Sequence, residues 1–185
     1  MSMAREAYAI LDGLNFNTYR YLNGHCFDSR VLRDSFLGFS RSSADKRLNA
    51  LLYPLENFED MLVFTYLLAV MAKLMLKEFS EASFQPLRQM ALKCLEIESS
   101  HADLAIEALS KRAGQTESKK QIELSLDYWY GRVETSAGPA DSLRNEWHRR
   151  FGLKKSDNIH VRDEWREEVL SHLQKMGIAY APKAD

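Results

Sequence analysis

The sequence feature that most constrains this chain is one long apolar segment between residues 58 and 76. Its apolar side chains are Phe58, Met61, Leu62, Phe64, Tyr66, Leu67, Leu68, Val70, Met71, Leu74, Met75 and Leu76. A helix that is apolar on nearly every side must be surrounded by other helices. Thr65 and Lys73 interrupt the segment, and it is too short to span a bilayer. It therefore predicts the central helix of a helical bundle.

The remainder of the chain predicts an all-α protein. No segment shows the alternation of apolar and polar residues, rich in β-branched side chains, that is typical of strands. Glycine, proline and capping residues divide the chain into helices predicted at 3–22, 29–52, 56–79, 84–112, 116–136, 140–151 and 157–176. Ser83 is the expected N-cap of the fourth helix, and Asp157 is placed at the start of the last. We expect one domain over 1–185, with a core bundle over about 3–112, packing helices over about 116–176 and a short disordered C-terminal tail.

Charge and cysteine content indicate which partners and which cellular compartment to expect. With 25 basic and 26 acidic residues, the net charge of -1 gives no electrostatic reason to expect nucleic acid or an anionic membrane as partner. The only cysteines, Cys26 and Cys94, form no disulfide framework, and Cys94 has the apolar neighbours of a core residue. The N-terminus lacks the basic and then apolar run of a signal peptide. We expect a cytoplasmic protein.

The predicted helix 84–112 carries two polar residues where apolar ones are expected. Its inward stripe, followed by four-three spacing, consists of Leu87, Ala91, Cys94, Glu98, His101, Ala105 and Ala108. A buried carboxylate is costly unless it is paired, hydrogen-bonded, protonated or bound to a metal. Glu98 and His101 are therefore the candidate metal ligands, because a di-iron or di-manganese bundle takes a Glu-x-x-His from each of two helices and a Glu from each of the other two.

Two alternatives to a metal site stay open for this pair. Glu98 and His101 could form a hydrogen-bonded pair without metal, or the stripe could be assigned one residue wrong. Lys73, the one charge inside the apolar helix, could be the counter-charge of Glu98, or its stem could extend to solvent. No second Glu-x-x-His exists in the sequence, and only Asp45 or Glu96 offers a further carboxylate ligand nearby.

The order and spacing of several motifs resemble a known family over about 57–178. The matching stretches are 57–60 (NFED), 93–101 (KCLEIESSH), 119–130 with its aromatic cluster, 143–151 and 162–165 (RDEW). They are similar to the ferritin-like subunits of the bacterial phenylacetyl-CoA ring epoxidase. The resemblance implies a ferritin-like bundle with additional C-terminal helices. In that family the catalytic subunit holds a di-iron centre that epoxidises the aromatic ring of a coenzyme A thioester, and a related subunit without a working metal site is its structural partner.

The resemblance also indicates which metal ligands this chain lacks. By position, Glu98 and His101 match the catalytic subunit's second Glu-x-x-His, whereas that subunit's third-helix carboxylate falls on Ala69, which cannot bind metal. The first Glu-x-x-His falls near 39–45, where the chain has neither Glu nor His. In the first helix, the chain has Asn17 or Tyr19 at the place where a Glu ligand is expected. Gly24-His25 in a turn is similar to the structural subunit.

Three functions follow as hypotheses. The first is a metal-free structural or accessory subunit, not itself an enzyme, that forms a homodimer or a heteromer with a ferritin-like oxygenase subunit. The second is a divergent oxygenase, a di-iron-type monooxygenase of an aryl-CoA thioester, with an incomplete iron site at Glu98 and His101. The third is a helical module that binds acyl-CoA without chemistry. The first predicts no cofactor, and the second predicts iron.

Overall fold

The computed structural model describes residues 3–15, 31–35 and 48–182, and within them the chain is all-helical. Its six α-helices are α1 (Met3–Gly13), α2 (Phe58–Phe79), α3 (Gln85–Ala113), α4 (Thr116–Glu134), α5 (Leu143–Arg150) and α6 (Asn158–Lys175). Two 3-10 turns, Asn49–Leu52 and Thr135–Ala137, complete the regular structure, and these described residues contain no strand. The predicted all-α class is confirmed. None of these helices is long and apolar enough to cross a membrane.

Short polar side chains start two of the central helices. Asn57 precedes α2, and its side-chain oxygen accepts a hydrogen bond from the backbone N–H of Asp60 at 2.8 Å. Asp157 precedes α6 and accepts from the backbone N–H of His160 at 2.7 Å. Each cap satisfies an N–H that has no partner inside its own helix. The prediction that Asp157 caps the last helix is therefore confirmed.

The N-terminus of α3 differs from the prediction by one residue. The N-cap position is Phe84, which makes no side-chain capping hydrogen bond, and Pro86 lies in the first turn. The Ser83 hydroxyl donates instead to the backbone carbonyl of Phe151 at 2.7 Å. Ser83 was the wrong cap because a tertiary contact to the end of α5 uses its hydroxyl.

The core is built around α2 and includes the C-terminal helices. Trp129 of α4 and Trp165 of α6 are fully buried, as is Tyr66 of α2. The Trp165 indole N–H donates to the backbone carbonyl of Leu67, and the Tyr66 hydroxyl donates to that of Val169. One hydrophobic cluster joins residues of α2, α3, α4 and α6. Helices that the sequence pattern placed outside the core thus supply its two largest side chains.

The predicted helix 29–52 is wrong in its described parts. Residues 31–35 form no helix, and 49–52 form only a 3-10 turn. The backbone N–H of Val31 donates to the carbonyl of Leu52 at 3.1 Å, and the carbonyl of Arg33 accepts from the Tyr128 hydroxyl at 2.9 Å. These tertiary hydrogen bonds use backbone groups that a helix would need internally. The rest of that helix, at 36–47, lies outside the described residues, as does 16–22 of the first predicted helix.

Candidate functional site

The buried residues of α3 depart from the predicted stripe in the second half of the helix, where Ala102 and Leu109 are buried in place of His101 and Ala108, while Ala105 is common to both. The buried residues of this helix are Ala91, Cys94, Ala102, Ala105 and Leu109. A four-three pattern repeats every 3.5 residues, whereas a straight helix turns once in about 3.6, so the stripe drifts by about 20° per heptad. Ala102 consequently occupies the core position that the strict pattern assigned to His101.

Glu98 and His101 lie side by side, but only the carboxylate is sheltered. The His101 Nδ1 atom is 3.4 Å from Oε1 of Glu98, and the exposed fractions of the two side chains are 57% for His101 and 13% for Glu98. The pair opens to solvent at its histidine end. A carboxylate in contact with an imidazole and reachable by water needs no metal to compensate its burial.

Lys73 lies in a different ion pair from the one hypothesised. Its ammonium group contacts the carboxylate of Glu168 on α6, and both side chains are about one quarter exposed. The Lys73–Glu98 pair is not formed, because α6 packs against α2 and brings its own carboxylate to the lysine. Glu168 was not identified as the partner of Lys73, because the sequence pattern placed α6 outside the core.

Contacts at the two ends of the α2–α3 pair indicate which turn of α3 lies at the level of Ala69. The two helices are antiparallel: Glu59 pairs with Arg112 near one end, and Leu76 packs with Ala91 and Cys94 near the other. Interpolation between these two contacts puts Ala69 of α2 at about the level of residues 98–102 of α3. Ala69 is buried, with 7% of its surface exposed. At this level α2 therefore presents a methyl group, which cannot bind a metal.

The donor atoms in the described part of the chain do not fit a di-iron centre. Such a centre takes four carboxylates and two histidines. Within 3–15, 31–35 and 48–182, no three side chains of His, Cys, Asp or Glu come together as a metal ion would require. Asp45, Asn17, Tyr19, His25 and the segment 39–45 lie outside the described residues. Cys94 is buried as expected, and burial raises the pKa of its thiol.

A second carboxylate cluster, at the start of α2, was not identified from the sequence. Asp60 is fully buried and accepts hydrogen bonds from Arg33 Nη1 at 2.5 Å, from the Ser125 hydroxyl at 2.8 Å and from the Glu56 backbone N–H at 3.3 Å. Burial pushes the pKa of the Asp60 carboxyl upward. The three donors together outweigh it, so the pKa lies below its usual value.

Acidic residues in the first turn of a helix are usually explained by the helix dipole, and the sequence analysis did not identify the burial of Asp60. A signal was present, because Asp60 begins the buried stripe that continues through Val63, Leu67 and Val70. This is the three-and-four spacing that singled out Glu98 on the next helix. The residue before it, Glu59, is also buried and accepts from Arg112 Nε at 2.9 Å and Nη2 at 2.6 Å.

Two arginines fasten the segment 31–35 to α4. The guanidinium of Arg33 lies 3.9 Å from the ring centre of Tyr128, and that of Arg132 lies 3.7 Å from the same ring on α4. Arg132 also stacks on Tyr53 and donates to the backbone carbonyl of Ser35 at 3.2 Å. With Asp60 and Ser125, these groups hold each other in fixed positions and leave no carboxylate free. The cluster holds segment 31–35, the start of α2 and α4 together, and its role is structural.

Comparison with known proteins then identifies the family. The family model described as phenylacetic acid catabolic protein matches residues 19–184. The chain belongs to this family. Proteins of the phenylacetic acid catabolic family have a ferritin-like helical fold, in agreement with the all-helical structure. They are subunits of a multicomponent complex. No curated protein matches the chain significantly.

Membership of the phenylacetic acid catabolic family gives the Glu98–His101 pair its context. The matched range contains all of α2 to α6, so the pair, Ala69 and the Asp60 cluster all lie within it. The resemblance of the sequence motifs implies that the family includes both catalytic and structural subunits. The residues of the site are the evidence on the role of this chain.

Proposed function

We propose that this chain is a metal-free structural or accessory subunit of an oxygenase of the phenylacetyl-CoA type. The observation that carries the proposal is that Ala69 is a buried alanine. The contacts at the two ends of the α2–α3 packing imply that it lies at about the level of Glu98 and His101. A di-iron centre needs a carboxylate from this helix, and alanine offers no donor atom.

The partners of the remaining polar groups support the same proposal. His101 is more than half exposed, Lys73 is paired with Glu168, and Asp60 is used by Arg33 and Ser125. Each of these charged groups of α2 and α3 is compensated by a protein partner or by solvent. A helical scaffold of this kind contributes shape and rigidity to a complex, and it requires no metal to fold.

Variants of the Glu98–His101 pair test this role. We expect His101→Ala and Glu98→Gln to leave the iron content of the purified protein unchanged, because the pair holds no metal. Loss of the exposed contact should lower the free energy of unfolding by less than about 1 kcal/mol. Iron is measured by elemental analysis and stability by urea unfolding.

Glu96→Gln is the matched control, since Glu96 is an exposed neighbour on the same helix. Protein for all variants is prepared from cells grown with added iron. A wild-type protein that retains iron, together with a His101→Ala variant that loses it while Glu96→Gln does not, would contradict the proposal and favour the oxygenase.

A further inference from the structure

The last turn of α6 contains a histidine with one buried ring nitrogen that has no hydrogen-bond partner. The Nδ1 atom of His172 is buried, and no polar atom of the described residues lies within hydrogen-bonding distance of it. The imidazole packs against the phenol ring of Tyr66, with 6.2 Å between the ring centres. Tyr66 is fully buried and belongs to α2, the central helix of the core. His172 therefore lies where the end of α6 meets the core.

The burial of Nδ1 determines which charge this histidine can carry in place. A neutral imidazole has an N–H on only one nitrogen, whereas the protonated ring has an N–H on both. The neutral ring can carry its N–H on Nε2 and leave Nδ1 as an unused acceptor. The protonated ring of His172 would bury an N–H without an acceptor, which is costly. The geometry around Nδ1 therefore suits neutral His172 and disfavours the protonated form.

The charged groups that face His172 come from three helices and carry both signs. Lys73 of α2 and Lys175 of α6 oppose its protonation. Glu168 of α6 and Asp103 of α3 favour it, but the Glu168 carboxylate already contacts the Lys73 ammonium. The dipole of α6 also favours a cation in the last turn of the helix. Desolvation outweighs these attractions and lowers the pKa of His172 below its usual value.

The C-terminal segment, residues 176–182, continues directly from the last turn of α6. The backbone N–H of Met176 donates to the carbonyl of His172 at 3.0 Å. Ile178 is buried, and its backbone N–H donates to the carbonyl of Leu173 at 2.9 Å. A movement of His172 away from the core would disturb these contacts, because their acceptors lie in the same helical turn.

We propose that His172 is a pH-sensitive switch for this end of the protein. The neutral ring holds the last turn of α6 against Tyr66, whereas protonation drives the ring into water and releases this turn together with the C-terminal segment. A released histidine binds a proton with its ordinary pKa of about 6.5, and the docked ring binds a proton less readily. The docked state is therefore fully stable above about pH 6.5 and loses stability as the pH falls below this value.

Amide hydrogen exchange followed by NMR tests the switch at the residues that it moves. We expect the protection factors of the Met176 and Ile178 amides to fall about tenfold between about pH 7.5 and about pH 5.5. This factor corresponds to the lower part of the range for burying one N–H without an acceptor. Amides of α2 should keep their protection. Both pH values lie above the range in which the Asp60 carboxyl titrates.

Two substitutions remove the titrating group in different ways. His172→Gln keeps a polar side chain, and His172→Phe keeps an aromatic ring against Tyr66. In both variants the protection of the Met176 and Ile178 amides should be the same at the two pH values. His160→Gln is the matched control, because His160 is an exposed histidine of the same helix, and it should retain the wild-type change. Circular dichroism verifies that the variants are folded.

Three results would overturn the proposal. One is wild-type protection of the Met176 and Ile178 amides that is equal at both pH values, or that falls equally throughout α2. Another is a pH-dependent change that persists in a folded His172 variant. The third is an NMR titration of the wild-type protein in which the His172 ring has a pKa above about 6.5.

Discussion

Replacing Asp60 with alanine is expected to lower the free energy of unfolding by about 3 kcal/mol, at the lower end of the range for breaking a buried ion pair. Asp60 is fully buried, and its removal leaves the Ser125 hydroxyl and the Glu56 N–H without their acceptor. The loss falls at the lower end because the Arg33 side chain is 25% exposed and can be hydrated in the variant. Urea unfolding monitored by tryptophan fluorescence measures the change.

The same variant should lose part of the acid sensitivity of the wild type. A carboxyl whose pKa is lower in the folded state contributes stability that is present above its unfolded pKa of about 4 and is lost as the pH falls through the folded value. Stability of Asp60→Ala should therefore fall less steeply below about pH 4 than that of the wild type. Asp60→Asn keeps the side-chain volume and should share this flatter profile. A loss below about 1 kcal/mol, with an unchanged acid profile, would contradict the assigned role of Asp60.

Replacing Trp165 with alanine is expected to cost about 4 kcal/mol, because it empties a fully buried position in the core. The variant also leaves the backbone carbonyl of Leu67 without the indole donor. For a chain of this size the loss corresponds to a fall in melting temperature of about 10 °C. Scanning calorimetry measures it directly.

Trp147→Ala is the matched control for this experiment. Trp147 is 63% exposed, and a surface substitution changes stability by about 0.5 kcal/mol or less. Equal losses in the two variants would contradict the assignment of α6 to the core.

The helices of the second half of the chain were predictable because their signals are local. The side chain of Asp157 caps the start of α6, and Gly114 directly follows the end of α3, so residues at the boundary itself mark these helix ends. The segment 31–35 was not predictable in this way. Its conformation depends on Arg33, Tyr128 and Arg132, which are far apart in sequence, so no local pattern reports it.

The residues of the candidate site were also predictable only where their signal is local. Periodicity correctly placed Glu98 and His101 on one face of α3. It did not show that this face turns away from the core at His101, where Ala102 is buried instead. Asp60 follows the same periodicity on α2, but an acidic residue in the first turn of a helix is also typical of an exposed position, so its burial was not identified. The partner of Lys73 could not be inferred, because it depends on how α6 packs.

The central claim is that this family member has no metal site of its own, and the bound iron of the wild-type protein tests it most directly. The protein is produced in cells supplied with added iron, dialysed extensively and analysed for iron per chain. We predict iron far below one atom per chain, because the α2 position level with Glu98 and His101 is the methyl group of Ala69. Near-stoichiometric iron that resists dialysis would contradict the proposal.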